Sequence, residues 1–201
     1  MKEKPNIANM VKLGFTLAVF AAAACVMLAF VYNGTSKQIA RRQQADLEGA
    51  LKELFPDADS FEPVTGIQSP DPSVQFESMY RADRNGRPAG AALRVTRAGY
   101  AGPVTMMVGV GANGVITGVK ILEHSETPGL GANASSPSYF VDRASGTTFY
   151  GQFAGKNSGD PFEVKNDVAA ITASTVTSKA VASSVKAAGA AVAEWFKGGD
   201  Q

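Results

Sequence analysis

The stretch Asp167-Val-Ala-Ala-Ile-Thr-Ala-Ser-Thr175-Val-Thr-Ser-Lys179 brings four hydroxyls close together, on Thr172, Ser174, Thr175 and Thr177, with Ser178 just beyond. An Ala/Val-rich segment follows as far as Trp195-Phe196, so the pattern delivers hydroxyls to the start of a helix. Two kinds of chemistry belong at such a place. Ser and Thr oxygens accept the free backbone N–H groups of the first turn. The same unpaired N–H groups, together with the helix dipole, attract phosphate. Residue types alone leave an ordinary cap and an anion site both open.

A second group with chemical potential is His124-Ser-Glu126-Thr127-Pro128-Gly129-Leu130-Gly131-Ala132. The proline fixes one torsion, and the glycines permit a tight turn and close backbone approach to a ligand. A plain loop between elements has the same composition. The remaining inventory is restrictive. With one Cys (Cys25) and one His (His124), the chain cannot form an internal disulfide or a Cys-based zinc or iron–sulfur site. Cys/His or Ser/His/Asp catalysis would have to use His124, so no catalytic residues and no metal ligands are assigned. A net charge of +1 without a basic cluster argues against nucleic-acid binding.

These residues must be positioned by the rest of the 201-residue chain. Residues 1–12 are polar and basic, whereas Leu13 to Tyr32 carries neither charge nor proline and is long enough to cross the hydrocarbon core as a helix. The length favours an uncleaved anchor over a signal peptide, whose apolar region is shorter. Charge does not orient the span: Lys2, Lys4 and Lys12 precede it, and Lys37, Arg41 and Arg42 follow it. Cys25 lies mid-span as a small apolar filler.

Ile39 to Phe55 reads as a juxtamembrane helix ended by Pro56, and Asp57 to Ser73 as a loop. Val74–Arg81 and Ala91–Arg97 read as strands joined through Asn85-Gly86, a strong hairpin signal. Pro103–Val110 and Val115–Leu122 form a second hairpin, with Val115, Thr117, Val119 and Ile121 expected on one face. Tyr139, Phe140, Phe149, Tyr150 and Phe153 are expected to anchor a long loop on the core. A terminal helix over 176–197 has Val181, Val185, Ala188, Val192 and Trp195 on one apolar face. The fold class is α+β: a single N-terminal transmembrane helix, then an antiparallel sheet packed by helices.

Three ordered motifs carry a family resemblance: Gly99-Tyr100-Ala101-Gly102-Pro103, the complete His124-x-Glu-Thr-Pro-Gly-Leu-Gly131 loop, and Thr172-Ala173-Ser174-Thr175 with Asp167 ahead and Val176-Thr177-Ser178 behind. The chain resembles the FMN-binding domain family, in the G subunit of Rnf ion-translocating oxidoreductase complexes and the C subunit of Na+-translocating NADH:quinone reductases. Its length favours the former. Ala173 stands where that family usually has Gly, and Ser174 where it has Ala. Ala173 becomes strained if its φ is positive.

The resemblance implies FMN joined covalently to Thr175 through a phosphoester, with Ser174 as a second possible acceptor. It implies a cofactor site drawn from Thr172, Ala173, Ser174, Thr175, Thr177, Ser178, His124, Glu126, Thr127, Gly129, Leu130 and Gly131. It also implies the other subunits of an Rnf complex as partners, a separate flavin transferase, and an electron-transfer role linking ferredoxin and NAD with ion translocation, without substrate turnover of its own. The expected layout is a cytoplasmic tail (1–12), a transmembrane helix (13–32), a juxtamembrane helix and linker (33–73), and an FMN-binding domain (74–201) outside the bacterial cytoplasmic membrane. Two other readings remain: a non-redox structural membrane subunit, and a module that holds FMN noncovalently in another redox or regulatory system.

Overall fold

The computed structural model describes residues 7–198. It divides into two units, one ending at Leu47 and one beginning at Glu48. A single helix, α1 (Ile7–Leu54), runs through both. Its apolar part is exposed along its length and is long and apolar enough to cross a membrane. The spans read separately as anchor and juxtamembrane helix are thus continuous. No proline lies between Pro5 and Pro56, and just after Gly34 the Thr35 hydroxyl donates back to the Val31 carbonyl at 2.8 Å, the bond a threonine makes inside a helix.

The second unit is built on a five-stranded antiparallel meander. Its strands are β1 (Ser60–Val64), β2 (Val74–Arg84), β3 (Arg87–Ala98), β4 (Pro103–Gly111) and β5 (Ile116–His124), paired in chain order. The β2–β3 turn is the one its sequence dictates, with Asn85 and Gly86 at φ 52° and 70°. Both of its strands extend further toward that turn than the apolar pattern alone indicates. β1 lies in the segment read as a loop. It is an edge strand with a proline, Pro63, paired to Tyr80, and its residues are at most half-buried, so it lacks an apolar alternation.

One sheet face carries the main core. Ala91, Leu93 and Val95 of β3 and Val104, Met106, Val108 and Val110 of β4 pack there with α2 (Thr175–Lys197). The helix contributes Val181, Val185, Ala188 and Val192, all fully buried, as expected; Trp195 is only partly buried at the edge of this core. In β5 the expected alternation fails at its start. The register slips between Gly109–Gly118 and Val110–Ile116, so Ile116 joins Val119 and Ile121 in the core instead of facing away. Phe149, Phe153 and Phe162 close the core beneath the long connection, with Phe149 and Phe153 edge to face. Phe140 departs from that expectation and is exposed. The connection also contains two short strands, β6 (Phe140–Asp142) and β7 (Thr147–Thr148).

The other sheet face receives the last turn of α1. Leu51, Leu54 and Phe55 are buried, and glycines on three strands make room for them. A Cβ on Gly90 would lie 2.6 Å from the Phe55 ring and 2.5 Å from the Val110 carbonyl, and one on Gly118 would meet Leu54 at 3.0 Å. An ion pair between Lys120 and Glu53 (2.7 Å) borders this contact. Since the backbone carbonyl cannot yield cheaply, Gly90→Ala is expected to destabilise the domain by about 1–3 kcal/mol. A lowered urea midpoint in the detergent-solubilised full chain would check this.

Candidate functional site

Glu126 is the point on which the site is assembled. It follows β5 directly, and its side chain is buried. Oε1 accepts the backbone N–H groups of Tyr100 (2.7 Å) and Ala101 (3.3 Å), and Oε2 accepts the hydroxyl of Thr177 (3.0 Å). One carboxylate therefore ties together the β3–β4 turn, the loop after β5 and the first turn of α2. The two sharply placed glycines fit around it. A Cβ on Gly99 would lie 2.2 Å from Oε1, and one on Gly131 would lie 2.3 Å from Oε2. Gly131 is therefore required for close approach to the Glu126 carboxylate. Gly129 has the different job of taking φ +76° in the turn.

Around this knot lies a hollow of about 400 Å³. Glu126, Thr127, Leu130 and Gly131 form one wall. Ala173, Ser174, Thr175 and Thr177 form another, and Tyr100 and Val176 complete it. Beyond α1, large apolar side chains among the described residues are exposed at Tyr100, Leu130, Phe140 and Val176, and three of these four rim the hollow. The volume falls in the range of small-molecule clefts, and the mix of apolar rim and few polar groups is typical of them.

The start of α2 does not behave as an ordinary capped helix. Ser174 occupies the cap position with φ −133° and ψ 49°, yet no side chain caps the turn. The first helical bond runs from the Ser178 N–H to the Ser174 carbonyl (3.0 Å). The N–H groups of Thr175, Val176 and Thr177 precede it and have no intrahelical acceptor. Thr175 is exposed on the hollow, and no hydrogen bond engages its hydroxyl among the described residues.

The structure divides the sequence-predicted set. Glu126, Thr127, Leu130, Gly131, Ala173, Ser174, Thr175 and Thr177 converge on the hollow. Ser178 does not reach it. It is fully buried, accepts the Ile171 N–H (2.9 Å) and donates to the Ser174 carbonyl (2.9 Å), so its hydroxyl shapes the approach to α2 from inside. Thr177 lines the hollow, and its hydroxyl donates to Glu126. His124 lines a neighbouring hollow, with Nε2 2.9 Å from the Ser135 hydroxyl. Thr172 is exposed and bonded through its N–H to the Tyr139 hydroxyl (3.0 Å). Tyr100 and Val176 were absent from the predicted set. The available signal for Tyr100 was its place in the Gly-Tyr-x-Gly-Pro motif; for Val176 it was an apolar residue off the buried stripe of α2.

Ala173 adopts φ +58°, the left-handed region that a glycine enters freely. The departure from Gly at this position thus has a conformational cost in this chain.

Sequence comparison adds to this geometry. The FMN-binding domain model matches residues 99–190, and the RnfG N-terminal region model matches residues 1–54. The G subunit of the ion-translocating oxidoreductase complex of Methanosarcina acetivorans is 32% identical over 181 residues, covering 88% of this chain and 91% of that protein. The G subunit of the Na(+)-translocating ferredoxin:NAD(+) oxidoreductase complex of Acetobacterium woodii is 34% identical over 194 residues, covering 87% of each. The crystal structure of Shewanella oneidensis NqrC is similar at a TM-score of 0.47 and 16% identity, over 65% of this chain and 72% of that one.

Two outcomes follow from the site geometry. Glu126→Ala strands two backbone donors and a buried hydroxyl, and should destabilise the domain by about 2–4 kcal/mol, with Glu126→Gln costing roughly half as much. Equilibrium denaturation of both variants checks the order. Ala173→Gly should relieve left-handed strain of about 1–2 kcal/mol, offset by the greater freedom of glycine in the unfolded chain, for a net gain of at most about 1 kcal/mol. A Tm that falls on this substitution would contradict it.

Proposed function

The chain belongs to the family of G subunits of ion-translocating oxidoreductase complexes, and from that premise we propose that it is a membrane-anchored electron carrier holding FMN covalently on Thr175. The observation that carries this reading is the uncapped first turn of α2, whose residues Thr175, Val176 and Thr177 line a hollow, with Thr175 exposed. An anion is favoured there by the free donors and by the helix dipole. A phosphoester on Thr175 would set its phosphate at that turn. The apolar rim of Tyr100, Leu130 and Val176 would flank the flavin ring system, which needs an apolar surface to leave water.

Attachment requires an activated donor, because an ester made from free phosphate and a hydroxyl must expel water. The Thr175 oxygen bonds to phosphorus in a flavin nucleotide anhydride, the P–O bond to the leaving nucleotide breaks, and the hydroxyl proton passes to a base of a separate flavin transferase. FMN supplies the redox chemistry, taking up two electrons and releasing them singly; the protein supplies position and surroundings. Glu126 holds Thr177 and therefore the first turn of α2. Gly131 keeps the loop wall tight against that carboxylate. The exposed apolar α1 would anchor the carrier as a single pass, with the domain on the extracytoplasmic side among the other subunits of an Rnf complex.

The test is mass spectrometry of the peptide containing Thr175, from full-length protein made in a host with the transferase, alongside a denaturing gel under ultraviolet light. A fluorescent band and an FMN-mass adduct on Thr175, both abolished in Thr175→Ala, are expected. An adduct on Ser174 would keep the carrier and move the attachment. A dark band and an unmodified peptide would overturn the covalent reading, and flavin released on denaturation would then indicate noncovalent binding.

A further inference from the structure

The backbone leading into Thr175 is held in an unusual way. Residues 169–173 have no strand partner; apart from a turn in which the Ser174 N–H donates to the Ile171 carbonyl (3.0 Å), the polar groups that are met are met by side chains from elsewhere. Gln152 grips Ala169 from both sides, with Oε1 accepting its N–H (2.7 Å) and Nε2 donating to its carbonyl (3.1 Å). Ser178 accepts the Ile171 N–H, and the Tyr139 hydroxyl accepts the Thr172 N–H at 3.0 Å while lying 3.4 Å from the Thr172 hydroxyl. Both ends are firmer. Upstream, the Asp167 carboxylate closes the 162–168 turn by accepting the Phe162 and Glu163 N–H groups, and Lys156 donates to the Asp167 carbonyl. Downstream, α2 is rooted in the core. Of the six residues 169–174, Ile171, which joins the core, and Ser174 are buried, and the other four are not.

Breaking these contacts would leave every ladder of the sheet intact, which is what a low-stability local unit requires. Thr175 is exposed but lines a hollow, and a transferase binds a flavin nucleotide in a hollow of its own. Opening the segment before Thr175 would add clearance for that second concave surface. We propose that residues 169–174 open as a strap, carrying Thr175 at the start of α2 outward to the transferase, and that the Tyr139 hydroxyl is the positioning group that latches it. The second half of this proposal rests on Thr175 being the acceptor; the first half does not.

The experiment uses the full-length chain in detergent, made without transferase so that no flavin is attached, as wild type, Tyr139→Phe and Gln152→Leu. Tyr139→Phe keeps the partly buried ring and removes only the latch. Hydrogen exchange read by mass spectrometry should accelerate over residues 169–174, about five-fold in Tyr139→Phe, the worth of one typical hydrogen bond, and more in Gln152→Leu, which loses both bonds to Ala169, with β3 and β4 unchanged. Added transferase and flavin adenine dinucleotide should then modify Thr175 faster by a similar factor, to the same final occupancy. Exchange of the segment that moves together with the sheet, or faster exchange with an unchanged or slower rate of attachment, would overturn the proposal. Absence of any adduct, wild type included, alongside locally faster exchange would refute the acceptor assignment while leaving the strap in place.

Discussion

A carboxylate that accepts two backbone N–H groups and a hydroxyl inside a protein is a strong constraint, because removing it strands all three donors at once. Glu126 is such a carboxylate, and it joins three segments that lie far apart in the chain: the turn at Tyr100–Ala101, the loop after β5, and α2 at Thr177. The rest of the site follows from it. Gly99 and Gly131 have no room for a side chain because the carboxylate occupies that space. Thr177 is fixed, so the helix begins where it does, and the residue two positions earlier faces the hollow. The knot is structural, and its consequence is placement.

The two halves of the domain's backbone are satisfied by different means. Within the meander each strand borrows its hydrogen bonds from a neighbour, in a ladder that also carries the core on one face and the last turn of α1 on the other. The approach to Thr175 has no ladder. Side chains of Gln152, Ser178 and Tyr139 replace it with scattered contacts, and Ala173 holds a left-handed conformation within the same run. Strain and sparse anchoring gather where a segment has to do something besides pack.

Most of the architecture was legible because it rests on local rules. Asn85-Gly86 dictates its hairpin, the apolar stripe of α2 dictates which face is buried, and an uncharged run of twenty residues can only be a long apolar helix. What escaped depends on partners. β1 carries no alternation because it is an edge strand, and only the register with β2 makes it a strand. Ile116 changes face through a bulge set by its pairing with β4, which no pattern within β5 reveals. At the site, the loop and the hydroxyl-rich stretch were visible as separate motifs, and most of their residues meet at one hollow. Their division of labour was not visible. Thr177 and Ser178 read as hydroxyls for a ligand, yet the one is bound to Glu126 and the other to Ile171 and Ser174. The inward use of a hydroxyl is decided by tertiary contacts.

The start of α2 shows why that inward use matters. Ser, Thr, Asp and Asn are favoured before a helix because their oxygens satisfy the first-turn N–H groups. This chain has Ser174 at the cap, Thr177 and Ser178 within the first turn, and no side-chain cap. Each of the two later hydroxyls is drawn away by another partner: Thr177 by Glu126 and Ser178 by the backbone on either side of Ala173. A helix end left open in this way gives up stabilisation of about 1 kcal/mol, and open donors tend to find water or an anion. The hollow admits either, and its rim of Tyr100, Leu130 and Val176 gives an apolar-bodied, phosphate-bearing molecule an advantage that water does not have. First-turn residues with no side-chain cap and an apolar rim thus meet at one hollow, which Thr175 also lines.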